Sequence, residues 1–376
     1  MSTKLFAEAL LIERLEERKQ NGLFRKLSQT KDLVDFSSND YLGLARCKEL
    51  GQQLQKAINL YPDAILGSTG SRLLSGNSEF AEKLEQDIAA FHGMEAALLF
   101  NSGYTANLAL FSSLAQRGDT IIMDELIHAS VIDGSRMGLG KRLKFKHNDL
   151  ESLEEKLKMA TGICYVAVES LYSMDGDQAP LRAIQRLCST YNALLIVDEA
   201  HAFGAFGKGL VAQNGLNNQI FATLFTFGKA LGAHGAVVTG SQLLRNYLIN
   251  FARPFIYSTA MPFAQLLHIR LAYKYLQDHE ELPLLLKKKI RLFKEYLSSI
   301  PHIQTMEGPV QSILIPGKTA VRKVSLELEA MNIKVYPIVS PTVAPGTERL
   351  RICLHTYNTD HEIGQLGQFL QHTLHI

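Results

Sequence analysis

From about residue 79 the chain repeats one pattern: a stretch with helical spacing, a short aliphatic run, then a polar or glycine-bearing turn. The runs are Ala96 to Phe100, Thr120 to Met123, Ile163 to Glu169, Leu194 to Val197, Ala222 to Phe225 and Ala236 to Thr239. A run that is apolar throughout, not at every second position, buries both faces of its strand. Helices then have to cover the sheet on both sides, and the helical stretches between runs, such as Glu79 to His92, can supply them. This predicts an α/β fold around a mostly parallel sheet. The texture changes after Pro262. A long helical stretch, Phe263 to Asp278, and a Lys/Leu-rich helix near 283–299 lead to strand candidates at Gln311 to Ile315, Lys334 to Tyr336 and Arg349 to Leu354. The reading divides the chain into three. Residues 1–45 hold an amphipathic helix, with Leu5, Leu10, Leu11 and Leu15 near helical spacing, then a strand-like piece, Leu33 to Phe36. Residues 46–270 form the large domain, and residues 271–376 a smaller α+β domain.

Charge narrows the function classes. The chain has 39 Lys and Arg against 37 Asp and Glu, a formal charge of +2, so no global field draws it to nucleic acid or an anionic membrane. An acidic ligand has to be held by a local site. The N-terminus mixes charges into its apolar residues, unlike a signal peptide. No run approaches the roughly 18 to 20 apolar residues of a membrane span. Cys47, Cys164, Cys188 and Cys353 are scattered, with no CxxC pair and no metal-ligand spacing, so no metal is expected. Scattered thiols fit a reducing compartment, and a cytoplasmic location is expected.

Two strand ends carry the chemistry. Ala193 to Val197 runs into Asp198, with His201 three residues on, and open α/β sheets present ligands at the carboxyl ends of their strands. Taken alone, Asp198 is as readily a helix cap. Ala222 to Thr226 runs into Phe227-Gly228-Lys229 within a glycine-rich turn. Lysines are ordinarily solvated, and one among tight turns at a strand end is poorly placed for that. A buried acid and a lysine after successive strands, 31 positions apart, make the pair that pyridoxal phosphate needs. The lysine can form a Schiff base with the cofactor aldehyde, and the carboxylate can hold the ring nitrogen protonated. Desolvation would free the lysine amine to react. The cofactor phosphate needs donors, and Asn101 to Asn107 reads as a turn and helix start with free backbone N–H groups around Ser102, Gly103 and Tyr104. An ordinary helix cap explains that segment equally well. Thr226, three residues before the lysine, could add a hydroxyl.

The ordered motifs DFSSNDYLGL (35–44), GSRLLSGN (70–77), NSGYTAN (101–107), HAS (128–130), KHND (146–149), SMDGDQAPL (173–181), VDEAH (197–201), TFGKALG (226–232), FARPFIYSTAMP (251–262) and SPTVAPGTERLRICL (340–354) span nearly the whole chain. On them the chain resembles the α-oxoamine synthase family of fold-type-I pyridoxal-phosphate transferases. The resemblance implies decarboxylative condensation of an amino acid, L-alanine in the first instance, with an acyl thioester. The acyl group would be pimeloyl, carried on coenzyme A or on acyl carrier protein. Members that use glycine or serine share the same core residues, and a non-catalytic partner subunit would keep the fold; the presence of Lys229 argues against the latter.

By the same resemblance Lys229 carries the cofactor, Asp198 pairs with the pyridine nitrogen, and His128 stacks on the ring and assists proton movements. His201 and Ser173 lie by the ring hydroxyl or its surroundings, Gly103 and Tyr104 by the cofactor, and Thr226 near its phosphate. Arg351, not Arg349, grips the amino-acid carboxylate, and Asn39, Thr342 and the region of Arg25 are substrate-side. A homodimer with a shared site is implied, in which Ser258 or Thr259 serves the neighbour's phosphate. Four positions depart from the family pattern: Phe203 replaces a small polar residue, Ala233 and His234 stand where serines are frequent, and Ala81 stands in place of a histidine.

Overall fold

The computed structural model describes residues 3–27, 33–62, 64, 67–300 and 302–374. It divides into two compact units, Met1–Leu33 and Val34–Ile376. The first contains the expected N-terminal helix, Thr3–Gln20, on which Leu10, Leu11 and Leu15 are exposed; the side chain of Leu5 lies outside the described residues.

The second unit holds the strands β1 (Val34–Asp35), β2 (Ala96–Phe100), β3 (Thr120–Asp124), β4 (Lys141–Phe145), β5 (Cys164–Glu169), β6 (Leu194–Asp198), β7 (Ala222–Thr226), β8 (Ala236–Gly240), β9 (Val310–Leu314), β10 (Ile333–Lys334), β11 (Tyr336–Ile338) and β12 (Arg349–Cys353). Seven form one sheet in the order β2-β8-β7-β6-β5-β3-β4, parallel except for β8, which runs antiparallel to both of its neighbours. Each aliphatic run of the sequence reading is a strand of this sheet. Its residues divide between separate clusters on the two faces: in β2, Ala97 and Leu99 go to one cluster, Leu98 and Phe100 to another. The two-sided burial inferred from unbroken apolar runs is therefore present. β4 carries no such aliphatic run: its KRLKF buries only Phe145 fully, so no local pattern marks it as a strand. It is an edge strand, and charged residues on an edge discourage pairing with another chain.

The C-terminal strands β11-β12-β9 make an antiparallel three-stranded sheet. The single strand expected at Lys334 to Tyr336 is in fact two pieces flanking the buried Val335. Ile333 of β10 pairs with Val34 of β1, whereas Tyr336 of β11 pairs with Arg351 of β12. The helix Phe263–Asp278 is continuous. Its buried Leu266, Ile269 and Tyr273 share a cluster with Leu99 and Phe225 of the large sheet and with Ile313 and Ile352 of the small one.

One buried ionic group ties the helix Glu79–His92 to the sheet. Glu85, 2% exposed, accepts from Arg72 Nη1 at 2.7 Å, Arg245 Nη2 at 2.8 Å and the Leu99 amide at 3.0 Å. Glu85→Ala strands two guanidinium groups beside an apolar core. The expected loss is about 3 kcal/mol or more, read as a lowered urea midpoint; an unchanged midpoint would show that both arginines swing to solvent without cost.

Candidate active site

The parallel strands bring their carboxyl ends to one edge, and the site lies there. Glu169 ends β5 and Asp198 ends β6, in register with each other, and Thr226 ends the adjacent β7. Beyond Thr226 the chain turns tightly through Phe227 to Gly235, with left-handed backbone at Gly232. A Cβ on Gly232 would lie 2.2 Å from the Ala45 amide nitrogen, so glycine is required for this turn to pack on the 44–45 segment. Lys229 sits in the turn, half-buried. It faces an open cavity of about 270 Å³ lined also by Asn39, Gly103, Tyr104, Asn107, His128, Asp198 and His201, as well as Thr226.

Asp198 is fixed on both oxygens: the Ala200 amide donates to Oδ1 and the Asn107 side-chain amide to Oδ2, each at 2.9 Å. The bond to Ala200 is a local turn, so the helix-cap alternative for Asp198 does not apply. Asn107, inside the helix Gly103–Ser113, also donates to Ser130 Oγ at 2.9 Å. Ser130 in turn presents both its hydroxyl, at 2.7 Å, and its backbone N–H, at 3.2 Å, to His128 Nδ1. A nitrogen that accepts from the Ser130 backbone N–H carries no proton of its own, so the serine hydroxyl also donates to Nδ1. The His128 proton therefore resides on Nε2. Burial lowers the His128 pKa, in keeping with a neutral ring. Asn107 and Ser130 were not singled out from the sequence, since neither residue type signals chemistry by itself.

Removal from bulk water lowers the Lys229 amine to about 8, against the pull of Asp198 and Glu169. The same desolvation, with Lys229 and Arg351 nearby, holds His201 well below its ordinary value. Its Nδ1 is 2.6 Å from the hydroxyl of the fully buried Tyr41, whose oxygen lies 3.1 Å from Asn39 Oδ1. Arg351 stands one bond behind the cavity wall. Its Nη2 donates to Asn39 Oδ1 at 3.0 Å, its Nε to the Ser173 carbonyl at 2.6 Å, and its Nη1 to Cys353 Sγ at 3.0 Å. Arg349 turns instead to Asp175.

The helix Gly103–Ser113 begins at the cavity, capped by Ser102, whose Oγ accepts from the Thr105 amide at 3.1 Å. A Cβ on Gly103 would come 2.5 Å from Thr226 Cγ2, so only glycine lets this helix end approach β7 so closely. Tyr104 is exposed; its ring stands edge-on to His128 with centroids 6.4 Å apart, and its hydroxyl donates to Asp133. Of the other residues singled out, Ser173 contributes its carbonyl to Arg351, and Thr342 is exposed in the loop before β12. Arg25 belongs to the N-terminal unit, where it is exposed. Phe203 points into the core, 5.4 Å from Phe225 between ring centroids and away from the cavity, whereas His234 lines the cavity.

The chain belongs to the aminotransferase class I and II family, whose pattern matches residues 31–366, and within it to the α-oxoamine synthases. Among its relatives, the 8-amino-7-oxononanoate synthase of Emericella nidulans is 40% identical over 95% of this chain and 93% of that one. The enzyme of the same name from Marinobacter nauticus is 36% identical over 94% and 93%. A solved 8-amino-7-oxononanoate synthase from Francisella tularensis superposes with a TM-score of 0.78, at 28% identity over 92% of this chain and 98% of that one. The serine palmitoyltransferase of Sphingomonas wittichii superposes with a TM-score of 0.87 over 97% and 96%; at 24% identity that likeness speaks to the fold.

Proposed function

We propose that the chain is a pyridoxal-phosphate-dependent acyltransferase that condenses L-alanine with a pimeloyl thioester, releasing carbon dioxide and the thiol. The product is 8-amino-7-oxononanoate, a step of biotin biosynthesis. The observation that carries this reading is the convergence of Lys229, Asp198 and His128 on one cavity at the carboxyl edge of the sheet. The donor set suits pyridoxal phosphate. A lysine with a lowered pKa can take its aldehyde, a fixed carboxylate its ring nitrogen, a neutral imidazole its ring face, and a helix start its phosphate. When bound, the cofactor supplies an electron-withdrawing ring joined to the amino-acid nitrogen.

The residues divide the remaining work. Arg351 offers a planar fork to the alanine carboxylate, with Asn39 completing the binding. Lys229 Nζ, once free of the cofactor, removes the α-proton and can return a proton to the product carbon. His128 covers the ring face, and its Nε2–H is available to reacting oxygens. His201 and Ser173 serve the region of the ring hydroxyl. Gly103 and Tyr104 serve the cofactor, Thr226 its phosphate, and Thr342 the substrate. The proposal includes a cytoplasmic homodimer in which Ser258 or Thr259 of one subunit serves the phosphate of the other. No described helix is long and apolar enough to cross a membrane.

The test is a turnover panel: alanine, glycine and serine, each with pimeloyl, acetyl, succinyl and palmitoyl thioesters on coenzyme A, and with pimeloyl-acyl carrier protein. Highest kcat/KM for alanine with a pimeloyl thioester is expected. A preference for glycine with acetyl or succinyl, or for serine with palmitoyl, would keep the family chemistry and overturn the substrate assignment.

A further inference from the structure

A second carboxyl group lines the cavity beside Asp198 and has no part in the scheme above. Glu169 is the last residue of β5, paired in register with Asp198 across the parallel strands, and is 3% exposed. In neighbouring parallel strands, residues in register project to the same side of the sheet. The two carboxyl groups therefore share one environment but are held differently. Asp198 has a donor on each oxygen. Glu169 receives the His128 backbone N–H, while its Oε1, fully buried, has no hydrogen-bond partner among the described residues. A buried polar oxygen left unpaired costs stability. Its persistence at a cavity wall marks a place where a ligand completes the bonding.

We propose that Glu169 is a cofactor-contacting residue: held as the neutral acid beside Asp198, it donates its proton to an acceptor oxygen of bound pyridoxal phosphate, leaving the Asp198 carboxylate to the ring nitrogen. The inference rests on the pyridoxal-phosphate reading above. The groups acting on Glu169 come from each neighbouring element: Asp198 on β6, Lys229 in the turn after β7, Asp124 on β3 and the His128 amide. Desolvation, then repulsion from Asp198, raises the Glu169 pKa to about 8 despite the opposing charge of Lys229. At neutral pH the group thus holds a proton to donate, which Asp198 with its two donors has no need to supply. The sequence carried a hint: the Cys164–Glu169 run ends in an acid just as the next run ends in Asp198.

The experiment has two arms. In the first, equilibrium dialysis measures pyridoxal-phosphate binding to full-length wild type, Glu169→Gln and Glu169→Leu. Glutamine keeps the size and a donor, so its dissociation constant should stay within roughly threefold of wild type. Leucine should weaken binding roughly tenfold, the scale of one lost hydrogen bond. Equal affinity for leucine and wild type, or glutamine as weak as leucine, would overturn the proposal. If wild type itself fails to bind, the cofactor reading falls with it, and the two failures are thus distinguishable. In the second arm, cofactor-free wild type and Glu169→Gln are melted between pH 5.5 and 8.5. A carboxyl whose folded pKa exceeds its unfolded value stabilises most below the unfolded value. That contribution drains away as pH rises toward about 8. Glutamine cannot titrate, so the melting-temperature advantage of Glu169→Gln over wild type should grow with pH. A gap independent of pH would overturn the neutral-acid assignment. This arm needs only the glutamine variant, so it stands if Glu169→Leu does not fold.

Discussion

Lys229→Ala is expected to abolish turnover, by roughly 10³-fold or more, while leaving the protein folded. The expectation follows from where the amine sits. Among the described residues Lys229 is the lysine that lines the cavity, and desolvation brings its pKa down to about 8. A solvated lysine is overwhelmingly protonated at neutral pH and cannot attack an aldehyde. The lowered pKa leaves a larger share of the amine free at neutral pH than an unshifted lysine would have. The side chain has no hydrogen bond of its own among the described residues, so alanine there costs little in bonding. The check is borohydride reduction of the pyridoxal-phosphate-loaded protein followed by peptide mass analysis. Wild type should carry the reduced cofactor on the peptide containing Lys229, and the variant should carry none. A variant that keeps turnover within tenfold, or that fixes the cofactor on another lysine, would show that the catalytic amine lies elsewhere. Melting of both proteins separates this outcome from simple unfolding.

The large sheet was the most legible part of the sequence because its strands are buried on both faces. Unbroken aliphatic runs have few alternative structures once helical stretches separate them. Strands lacking that property were harder to see. Lys141–Phe145 is an edge strand with a charged face, and Ile333–Lys334 and Tyr336–Ile338 are short pieces that change partner around Val335. Their identity depends on neighbours distant in sequence, such as Val34 and Arg351, which no local pattern encodes.

The site divides the same way. Asp198 and Lys229 could be singled out because each follows an apolar run, and strand ends are where such folds bind ligands. The supporting residues could not. Tyr41 reaches His201 across 160 positions and Asn107 reaches Asp198 across 91, and both bonds exist only because the sheet edge gathers these segments. Arg351 shows the limit from the other side. Its match to an arginine that grips a carboxylate comes from resemblance alone. In the fold its guanidinium already has acceptors on Nε, Nη1 and Nη2, with Tyr41 a further hydrogen-bond partner. Those contacts fix the plane of the fork in advance, which reduces the ordering cost of binding.

Asp198→Asn should lower kcat by roughly 10² to 10³-fold, the scale for removing a fixed charge aimed at the reacting system. Two effects have to be separated. The substitution preserves shape but converts one acceptor oxygen into an NH₂ donor. Whichever way the new amide turns, one of the two present donors, the Ala200 N–H or the Asn107 side chain, then faces another donor. That alone could shift the helix Gly103–Ser113 and, through Ser130, the ring of His128. The second change, Asn107→Asp, discriminates. In the double variant the carboxylate introduced at position 107 can accept from the amide introduced at position 198. The pair between positions 107 and 198 reforms and the charge moves back from position 198 onto the helix; Ser130 Oγ, which accepted from Asn107, turns to donate to the new carboxylate, leaving the Ser130 backbone N–H to hold His128 Nδ1. If the fixed charge at Asp198 is what the reaction uses, the double variant regains thermal stability but remains slow. If the damage of the single substitution is structural, stability and kcat recover together. A single Asp198→Asn variant with kcat within threefold of wild type would show that the ring nitrogen needs no anion at this position.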